Sequence, residues 1–452
     1  MNAKSSPRTR LKVLAAMCAL GGGFAVQSQA QTLMDVYHKA QARDTQYTVA
    51  RRTFDAAIEK LPQARAGLLP TVSLSGTRNQ QAGEAAFADA DYLQRQPSNW
   101  SWTLQLTQPL LRWGNWAAYQ QADAQVRQAH EQLALAEQDL ILRCAQAYFD
   151  VLLAMEGVRV LDAQLRAMDE QWTLAKRNFE VGTGTVTDVH EAHAKFAQSQ
   201  AQRVAALSEL STKQTELERT VGESMAIKPL RLVKMLPGID ERALETWRNA
   251  AAAGSPQIRM QQAALEVAQK EVSKNQSAHL PTLDLVLSSS RAYTGGTLSS
   301  PTDLESRVNT RQLGLQLNVP LYAGGGTQSR VREALAQQDR VAAELEGAQR
   351  LADSQVRQAF AGVTNGQAQV EALQVAVNAG TSAVEGNKIG YRLGTRIIPD
   401  VLNAEQQLFA TMRDLSKARV DTVTQSLKLK AAAGQLQAND LAALELLLEP
   451  LP

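Results

Sequence analysis

Two stretches of the chain alternate apolar and polar residues, as a β-strand with one apolar face does. Each is preceded by a shorter alternating stretch, with a polar segment in between. The apolar positions are Val72, Leu74, Trp100, Trp102, Leu104 and Leu106 in the first case, and Leu283, Leu285, Leu287, Leu313, Leu315, Leu317 and Val319 in the second. This pattern predicts one long-looped β-hairpin over residues 71–108 and a second over 282–319.

A long segment without proline follows each hairpin, and its apolar residues change to helical spacing. The steps between neighbours are alternately 4 and 3 residues, which is typical of a coiled-coil seam. The seam residues are Leu161, Leu165, Met168, Trp172, Ala175 and Phe179 in the first segment, and Val370, Leu373, Val377, Gly380, Val384, Asn387 and Tyr391 in the second. The spacing predicts long helices over 117–178 and 327–392, the first about 93 Å long at 1.5 Å per residue.

The same rhythm continues beyond each long helix, so a return helix is expected over 188–221 and over 400–433. Residues 180–187 and 393–399 then form the tips of two antiparallel coiled-coil hairpins. We expect each long helix to pack against two shorter helices of its own repeat, one before the β-hairpin and one after the tip.

The chain is a tandem repeat, which explains why every element occurs twice. Leu104–Leu110 recurs as Leu315–Leu321, and Val181-Gly182-Thr183 recurs as Leu393-Gly394-Thr395. The repeats span 31–222 and 241–437, each ordered as helix, β-hairpin, long helix, tip and return helix. A connector covers 223–240 and a tail covers 438–452, in which no strand is expected.

The first 30 residues read as a signal peptide. They carry Lys4, Arg8, Arg10 and Lys12 but no acidic residue, followed by an apolar stretch and a small-residue cleavage pattern ending at Ala30. The leader contributes four positive charges to a chain whose formal charge is +2, so the remainder carries about −2 and its net charge does not indicate nucleic-acid binding. After cleavage Cys144 is the single cysteine and has no disulfide partner, as expected of a large Gram-negative envelope protein.

The hairpins admit two interpretations, a soluble periplasmic sandwich and a membrane barrel. Trp100, Trp102, Trp113 and Trp116 flank one strand at both ends, as the aromatic girdles of membrane barrels do, and this favours the barrel. Four strands are fewer than the roughly eight that close a membrane barrel. The barrel is therefore expected to be shared between chains.

The residues around the two tips resemble those of the TolC family of Gram-negative outer-membrane export channels. The similar segments are Phe179–Thr183 with Thr187-Asp188-Val189, and Tyr391–Arg396 with Asp400–Ala404; the tandem layout from Gln31 to about Gln437 fits as well. The resemblance implies a mainly α fold with a membrane β part. Long coiled-coil hairpins would form an α-helical barrel in the periplasm, and four strands per chain would contribute to the 12-stranded β-barrel of a homotrimer in the outer membrane.

The resemblance also implies a periplasmic gate. It predicts that Arg396 and Tyr391 link to Thr187 and Asp188 of a neighbouring hairpin, while Asp400 of each chain lines the mouth. Asn403 stands where the family commonly has a second acidic ring, so less negative charge is expected there. A plainer interpretation makes Asp188 a helix cap and Arg396 a solvated partner of a nearby acid.

Further implications concern partners and cargo. An adaptor (membrane fusion) protein is expected to contact the tips at Gly182, Thr183, Gly394 and Thr395, and to join the channel to an inner-membrane pump or ABC transporter. The chain would be a passive exit duct for type I protein secretion, with multidrug efflux as the alternative. A periplasmic coiled-coil adaptor or structural protein is the alternative from another class.

No catalytic, cofactor or metal site is expected, so the chain is not expected to be an enzyme. His190 and His193 are three residues apart, not four as in a zinc-protease helix. The Gly324-Gly325-Gly326-Thr327 run lacks the lysine of a phosphate-binding loop.

Overall fold

The computed structural model describes residues 32–87, 91–232, 243–299 and 304–450. The signal peptide expected at 1–30 and part of the connector lie outside these residues. The described chain is mainly helical, and the two repeats are visible as two long helical hairpins joined through one antiparallel sheet.

The first repeat begins with three short helices, followed by strands and then by the long hairpin. Its elements are α1 (Leu33–Arg43), α2 (Thr45–Ile58), α3 (Lys60–Ala66), β1 (Thr71–Gln80), β2 (Gly83–Ala85), β3 (Leu93–Arg95), β4 (Ser98–Leu111), α4 (Trp113–Glu180) and α5 (Val186–Val221). Helix α4 has 68 residues, about 100 Å at 1.5 Å per residue. It starts four residues before the boundary expected from the sequence and ends two residues after it.

The second repeat follows the same order with fewer breaks. The connector before it contains β5 (Leu230–Leu232). The second repeat comprises α6 (Leu244–Gly254), α7 (Pro256–Ser277), β6 (Thr282–Thr294), β7 (Ser306–Asn318), α8 (Gly326–Arg392) and α9 (Ile398–Ala432). The tail contains α10 (Asn439–Glu445) and β8 (Leu448–Pro450). Helix α8 keeps its 67-residue length although Gly362, Gly366, Gly380 and Gly386 lie within it. Three of these glycines allow close approach to α9, since an added Cβ would lie 3.2 Å or less from a side chain of Gln425, Thr422 or Leu408.

The four long strands form one antiparallel sheet in the order β1-β4-β6-β7. The strands of the first repeat join those of the second through β4 and β6, with Leu106 opposite Leu287. Strands β1 and β7 are the sheet edges. A second, short hairpin of β2 and β3 lies in the loop of the first repeat.

The expectation that each long helix uses partners from its own repeat was incomplete. Helix α7 of the second repeat packs along both long helices, α4 and α8. Its counterparts in the first repeat, α2 and α3, pack mainly along α4. Helix α9 also contacts α4. Because α7 lies between the two hairpins, the two repeats form one continuous helical wall.

The main apolar core lies at mid-height, where helices of both repeats meet the two chain ends. Tyr37 from α1, Tyr148 and Phe149 from α4, and Leu441 from α10 are each at most 2% exposed. The tail also forms a strand: β8 pairs antiparallel with β5 of the connector. The expectation that the tail contains no strand was therefore wrong. Three residues are too few to show period-two alternation, so only tertiary contact reveals this pairing.

None of the helices in the described ranges is both long and apolar enough to cross a membrane.

Candidate functional site

The two hairpin tips have the same backbone geometry. Gly182 and Gly394 adopt left-handed conformations, with φ of +77° and +74°, a region that glycine enters without steric cost. In the first tip the Thr183 amide and hydroxyl both donate to the Asn178 carbonyl, at 2.8 and 3.1 Å. In the second, Thr395 makes the same pair of bonds to Gly390, at 2.9 and 3.1 Å. These bonds satisfy carbonyls at the ends of α4 and α8, so both tips are defined turns.

Each tip exposes large apolar side chains, and this exposure was not predicted from the sequence. Val181 and Leu393 are 72% and 73% exposed, and Ile397 is 62% exposed. Around Gly182 and Gly394 themselves, an added Cβ would meet no atom within 4 Å. The four residues expected to contact an adaptor thus lie beside an accessible apolar surface, the kind of surface that marks interaction sites.

Just behind the tips, α9 of the second hairpin packs against the first hairpin. Ile398 and Leu402 are at most 1% exposed and pack with Met168, Ala175 and Ala192. This apolar cluster, which we call the tip cluster, holds the two hairpins of one chain side by side. Their separation would expose it to water.

Tyr391 makes a hydrogen bond between the hairpins. Its hydroxyl accepts from the Asn178 side-chain amide at 3.0 Å. Among the described residues, neither Tyr391 nor Arg396 makes a hydrogen bond or ion pair with Thr187 or Asp188 within the chain. The partner of Tyr391 in the subunit is therefore Asn178, which sequence reasoning missed.

Asp188 takes part in a capping box at the start of α5. The Asp188 amide donates to the Thr185 hydroxyl at 3.2 Å, and the Asp188 carboxylate accepts from the Thr185 amide at 3.0 Å. Helix α5 accordingly begins at Val186, two residues before the expected start. Thr187 is exposed in the first turn. The helix-cap interpretation thus describes Asp188 within the subunit.

Arg396 precedes α9 by two residues and lies next to Asp400, which is in the first turn of that helix. Its guanidinium Nη1 is 3.7 Å from the Asp400 carboxylate, and the two side chains are 59% and 36% exposed. An exposed pair of this kind contributes less than about 1 kcal/mol. Both side chains therefore stay available to other partners at small cost.

Asp400 and Asn403 share the open side of α9. Asn403 is exposed, whereas Val401 and Leu402 between them are buried. The three-residue spacing puts both polar groups on one helix face. Both side chains are thus accessible from the same side of α9.

Glu405, one turn further along α9, was not identified from the sequence. It is 1% exposed, and its Oε1 lies 2.6 Å from the Lys388 ammonium and 3.5 Å from the amide nitrogen of Gln171. Lys388 belongs to the second hairpin and Gln171 to the first, so this buried carboxylate lies at the contact between hairpins. A buried charge with few partners is costly when a partner is removed.

Trp172 contributes a stack of side chains on the other side of the tip cluster. Its ring lies 4.5 Å from that of His193 and 5.3 Å from that of Phe196, and the Lys176 ammonium lies 3.2 Å from its centroid. This stack joins α4 to α5 within the first hairpin. The His193 ring thus stacks on the Trp172 ring.

The predicted girdle residues lie at the two ends of β4. Trp100 and Trp102 are near its start and share a face with Leu104 and Leu106, whereas Trp113 and Trp116 follow its end in α4. Trp102, Trp113 and Trp116 are each 50% to 55% exposed. In the described part of the chain, no group of three His, Cys, Asp or Glu side chains is arranged to hold a metal ion.

Comparison with known families gives a match over both repeats. The family model described as outer membrane efflux protein matches residues 36–223 and 247–435. These two ranges coincide closely with the tandem repeat and include both hairpins and both tips.

Among curated proteins, the chain is similar to the proteases secretion protein PrtF of Dickeya chrysanthemi, with 32% identity over 97% of this chain and 95% of the relative. It is also similar to the alkaline protease secretion protein AprF of Pseudomonas aeruginosa, with 31% identity over 90% of this chain and 85% of the relative. Among solved structures, the Campylobacter jejuni CmeC outer membrane channel superposes with a TM-score of 0.76 at 15% identity, over 93% of this chain and 90% of that one. The fold class expected from the sequence is confirmed.

Proposed function

Because this chain belongs to the outer membrane efflux protein family, we propose that it is the passive exit duct of a type I protein secretion system. The family assignment makes the chain an outer-membrane export channel of a Gram-negative cell, with a long periplasmic extension and no enzymatic activity. The observation that supports protein as cargo is the similarity, along nearly the whole chain, to two proteins named for protease secretion.

Channels of this family work as trimers within systems that include an adaptor and an inner-membrane pump. For this chain the proposal is a homotrimer in which three four-stranded sheets close a 12-stranded barrel. The sheet supports this, because β1 and β7 are edge strands and edge strands present unpaired backbone groups to a further strand.

The proposed gate lies at the periplasmic tips. Asp400 would line the mouth with Asn403 beside it, and Arg396 and Tyr391 would link to Thr187 and Asp188 of a neighbouring hairpin. The exposure of Arg396 and Thr187 supports a contact between subunits. The test is single-channel conductance of Arg396→Ala combined with Asp188→Ala, which we expect to exceed that of the wild type. Unchanged conductance would contradict the linkage.

The proposed adaptor contact is the exposed tip surface at Gly182, Thr183, Gly394 and Thr395. The buried thiol of Cys144, 0% exposed, leaves an introduced cysteine as the reactive one in the mature chain. Thr395→Cys should cross-link to the adaptor in cells, whereas Ser329→Cys, at the opposite end of the second hairpin, should not. Equal cross-linking from both positions would rule out docking at the tips.

Cargo is tested by deletion. A strain lacking this channel should lose at least one protein from its culture medium, while its sensitivity to drugs stays unchanged. The wild-type gene should restore secretion of that protein. Increased drug sensitivity with normal secretion would instead assign the channel to multidrug efflux. The same assay supplies the folding control for the cross-linking experiment. The deletion strain complemented with the Thr395→Cys chain, without cross-linker, should secrete normally.

A further inference from the structure

The strand register divides the four-stranded sheet into two faces of different chemistry. Leu313, Leu315 and Leu317 of β7 lie on one face and are 64% to 72% exposed. Leu287, Leu285 and Leu283 of β6 lie directly opposite them, so they share this face. The other face carries polar residues such as Gln105, Ser288 and Gln312, which are paired in one row. In a membrane barrel the apolar face contacts lipid.

The apolar face ends in arginine and aromatic residues at the end of the sheet farthest from the helices. The outermost row of this face runs Arg78, Trp100, Tyr293 and Arg307 across the four strands. Arg291 lies opposite Trp102 in the next row, and Arg311 lies opposite Ser289 in the row after that. We call Arg78, Arg291, Arg307 and Arg311, together with Trp100 and Tyr293, the arginine–aromatic cluster.

Within the cluster the aromatic rings stack on each other, whereas the arginines form no ion pair with a described carboxylate. Trp100 stacks on Tyr293 at 6.0 Å, and the Arg307 guanidinium lies 5.8 Å from the Tyr293 centroid. Arg291 donates to the Asn309 side chain at 3.0 Å. Within the described residues, no ion pair is formed by any of the four arginines, and one acid, Glu305, lies beside the Tyr293 hydroxyl. The cluster therefore carries an excess of positive charge.

Arginine on a lipid-facing surface is unfavourable unless its guanidinium reaches polar headgroups. Trp and Tyr at the same height mark the headgroup region. The opposite end of the sheet differs, since Arg112 there forms a bidentate pair with Asp284 of the polar face, at 2.9 and 2.6 Å. Arginines that form no ion pair with another described residue thus occur at the end that faces away from the periplasmic helices, which is the cell-surface side.

We propose that the arginine–aromatic cluster binds the phosphate groups of a phosphorylated lipid in the outer leaflet of the outer membrane. The planar guanidinium matches a phosphate with two parallel hydrogen bonds, and the leucines below would contact the acyl chains. Arg78 and Arg307 are three inter-strand spacings apart, about 14 Å at about 4.8 Å each. That width fits a headgroup with two phosphates. The proposal requires the outer-membrane location but is independent of what the channel exports.

The test uses the purified full-length channel in neutral detergent. The probe is a diphosphorylated glucosamine lipid of the lipid A type, and binding is followed by the change in intrinsic tryptophan fluorescence, to which Trp100 and Trp102 at the cluster contribute. The variant is Arg307→Gln with Arg311→Gln. The matched control is Arg330→Gln with Arg332→Gln, two exposed arginines of α8 that remove the same charge in the periplasmic part.

We expect the wild type and the α8 control to bind the lipid equally, and the cluster variant to bind at least about tenfold more weakly. The dephosphorylated lipid should bind the wild type at least about tenfold more weakly than the phosphorylated one, which tests the proposal without any variant. Inorganic phosphate at millimolar concentration should not compete. Equal binding by the cluster variant and the control, equal binding of both lipids, or full competition by inorganic phosphate would each overturn the proposal.

Discussion

The contact between Lys388 and Glu405 gives a quantitative prediction about the state in which the two hairpins of a chain are packed together. Glu405 is 1% exposed and Lys388 lies 2.6 Å from it, with its own side chain 41% exposed. Lys388→Met keeps much of the side-chain volume but leaves the Glu405 carboxylate buried without a cation. Removing one partner of a fully buried pair costs about 3–5 kcal/mol. Because water partly screens Lys388, we expect about 2 kcal/mol.

This energy destabilises the state in which Glu405 is buried between the hairpins, and so favours their separation. About 2 kcal/mol corresponds to about a thirtyfold change in an equilibrium constant. We call the form with separated hairpins the open form. If its population is about 1% in the wild type, a common value for a minor state, it should rise to about a fifth in the variant. Single-channel recording in a planar bilayer measures this fraction directly.

Glu405→Gln supplies the control for charge, because a buried amide needs no cation. In the Lys388→Met background it should return the open fraction most of the way to the wild-type value. Lys428→Met removes an exposed lysine of α9 and should change nothing. An unchanged open fraction in Lys388→Met, or no restoration by Glu405→Gln, would refute the reasoning.

Three further results are expected. Asp400→Asn should weaken the block of channel current by polyvalent cations applied on the tip side, because it removes the acidic group of the proposed mouth; equal block would argue against Asp400 lining it. Asp284→Ala should lower the temperature at which the purified channel unfolds, since it removes the 7% exposed carboxylate that accepts two hydrogen bonds from Arg112, and Asp284→Asn should lower it less. Burial raises the pKa of the Cys144 thiol from 9.0 to about 12, so maleimide at pH 8 should label it only after unfolding. The folded chain then retains a proton that the unfolded chain loses, so stability should fall as pH rises above about 9; rapid labelling of the native protein would contradict this.

The sequence by itself determined the elements of long periodicity. Each repeat has a long segment without proline, and its 3/4 spacing of apolar residues continues into the return helix, so both long helices and both tips follow from the sequence. The β-hairpins follow in the same way from alternation over several residues. Gly182 and Gly394 mark the turns because glycine enters the left-handed region without cost. Recurrence at a fixed offset then relates the two halves.

Tertiary structure decided the contacts between elements that are distant in the chain. Nothing near Asn178 in the sequence indicates that it donates to Tyr391, more than 200 residues away. Nothing in the sequence around Glu405 distinguishes it from a surface glutamate of a helix, and its burial follows from the packing of α9. The contacts of α7 with both α4 and α8, which join the two repeats, are likewise set by the tertiary structure. Strand β8 is too short for a periodic signal and exists because β5 lies beside it. Periodicity reports which face of an element is apolar, but the partner of that face is set by packing of the whole chain.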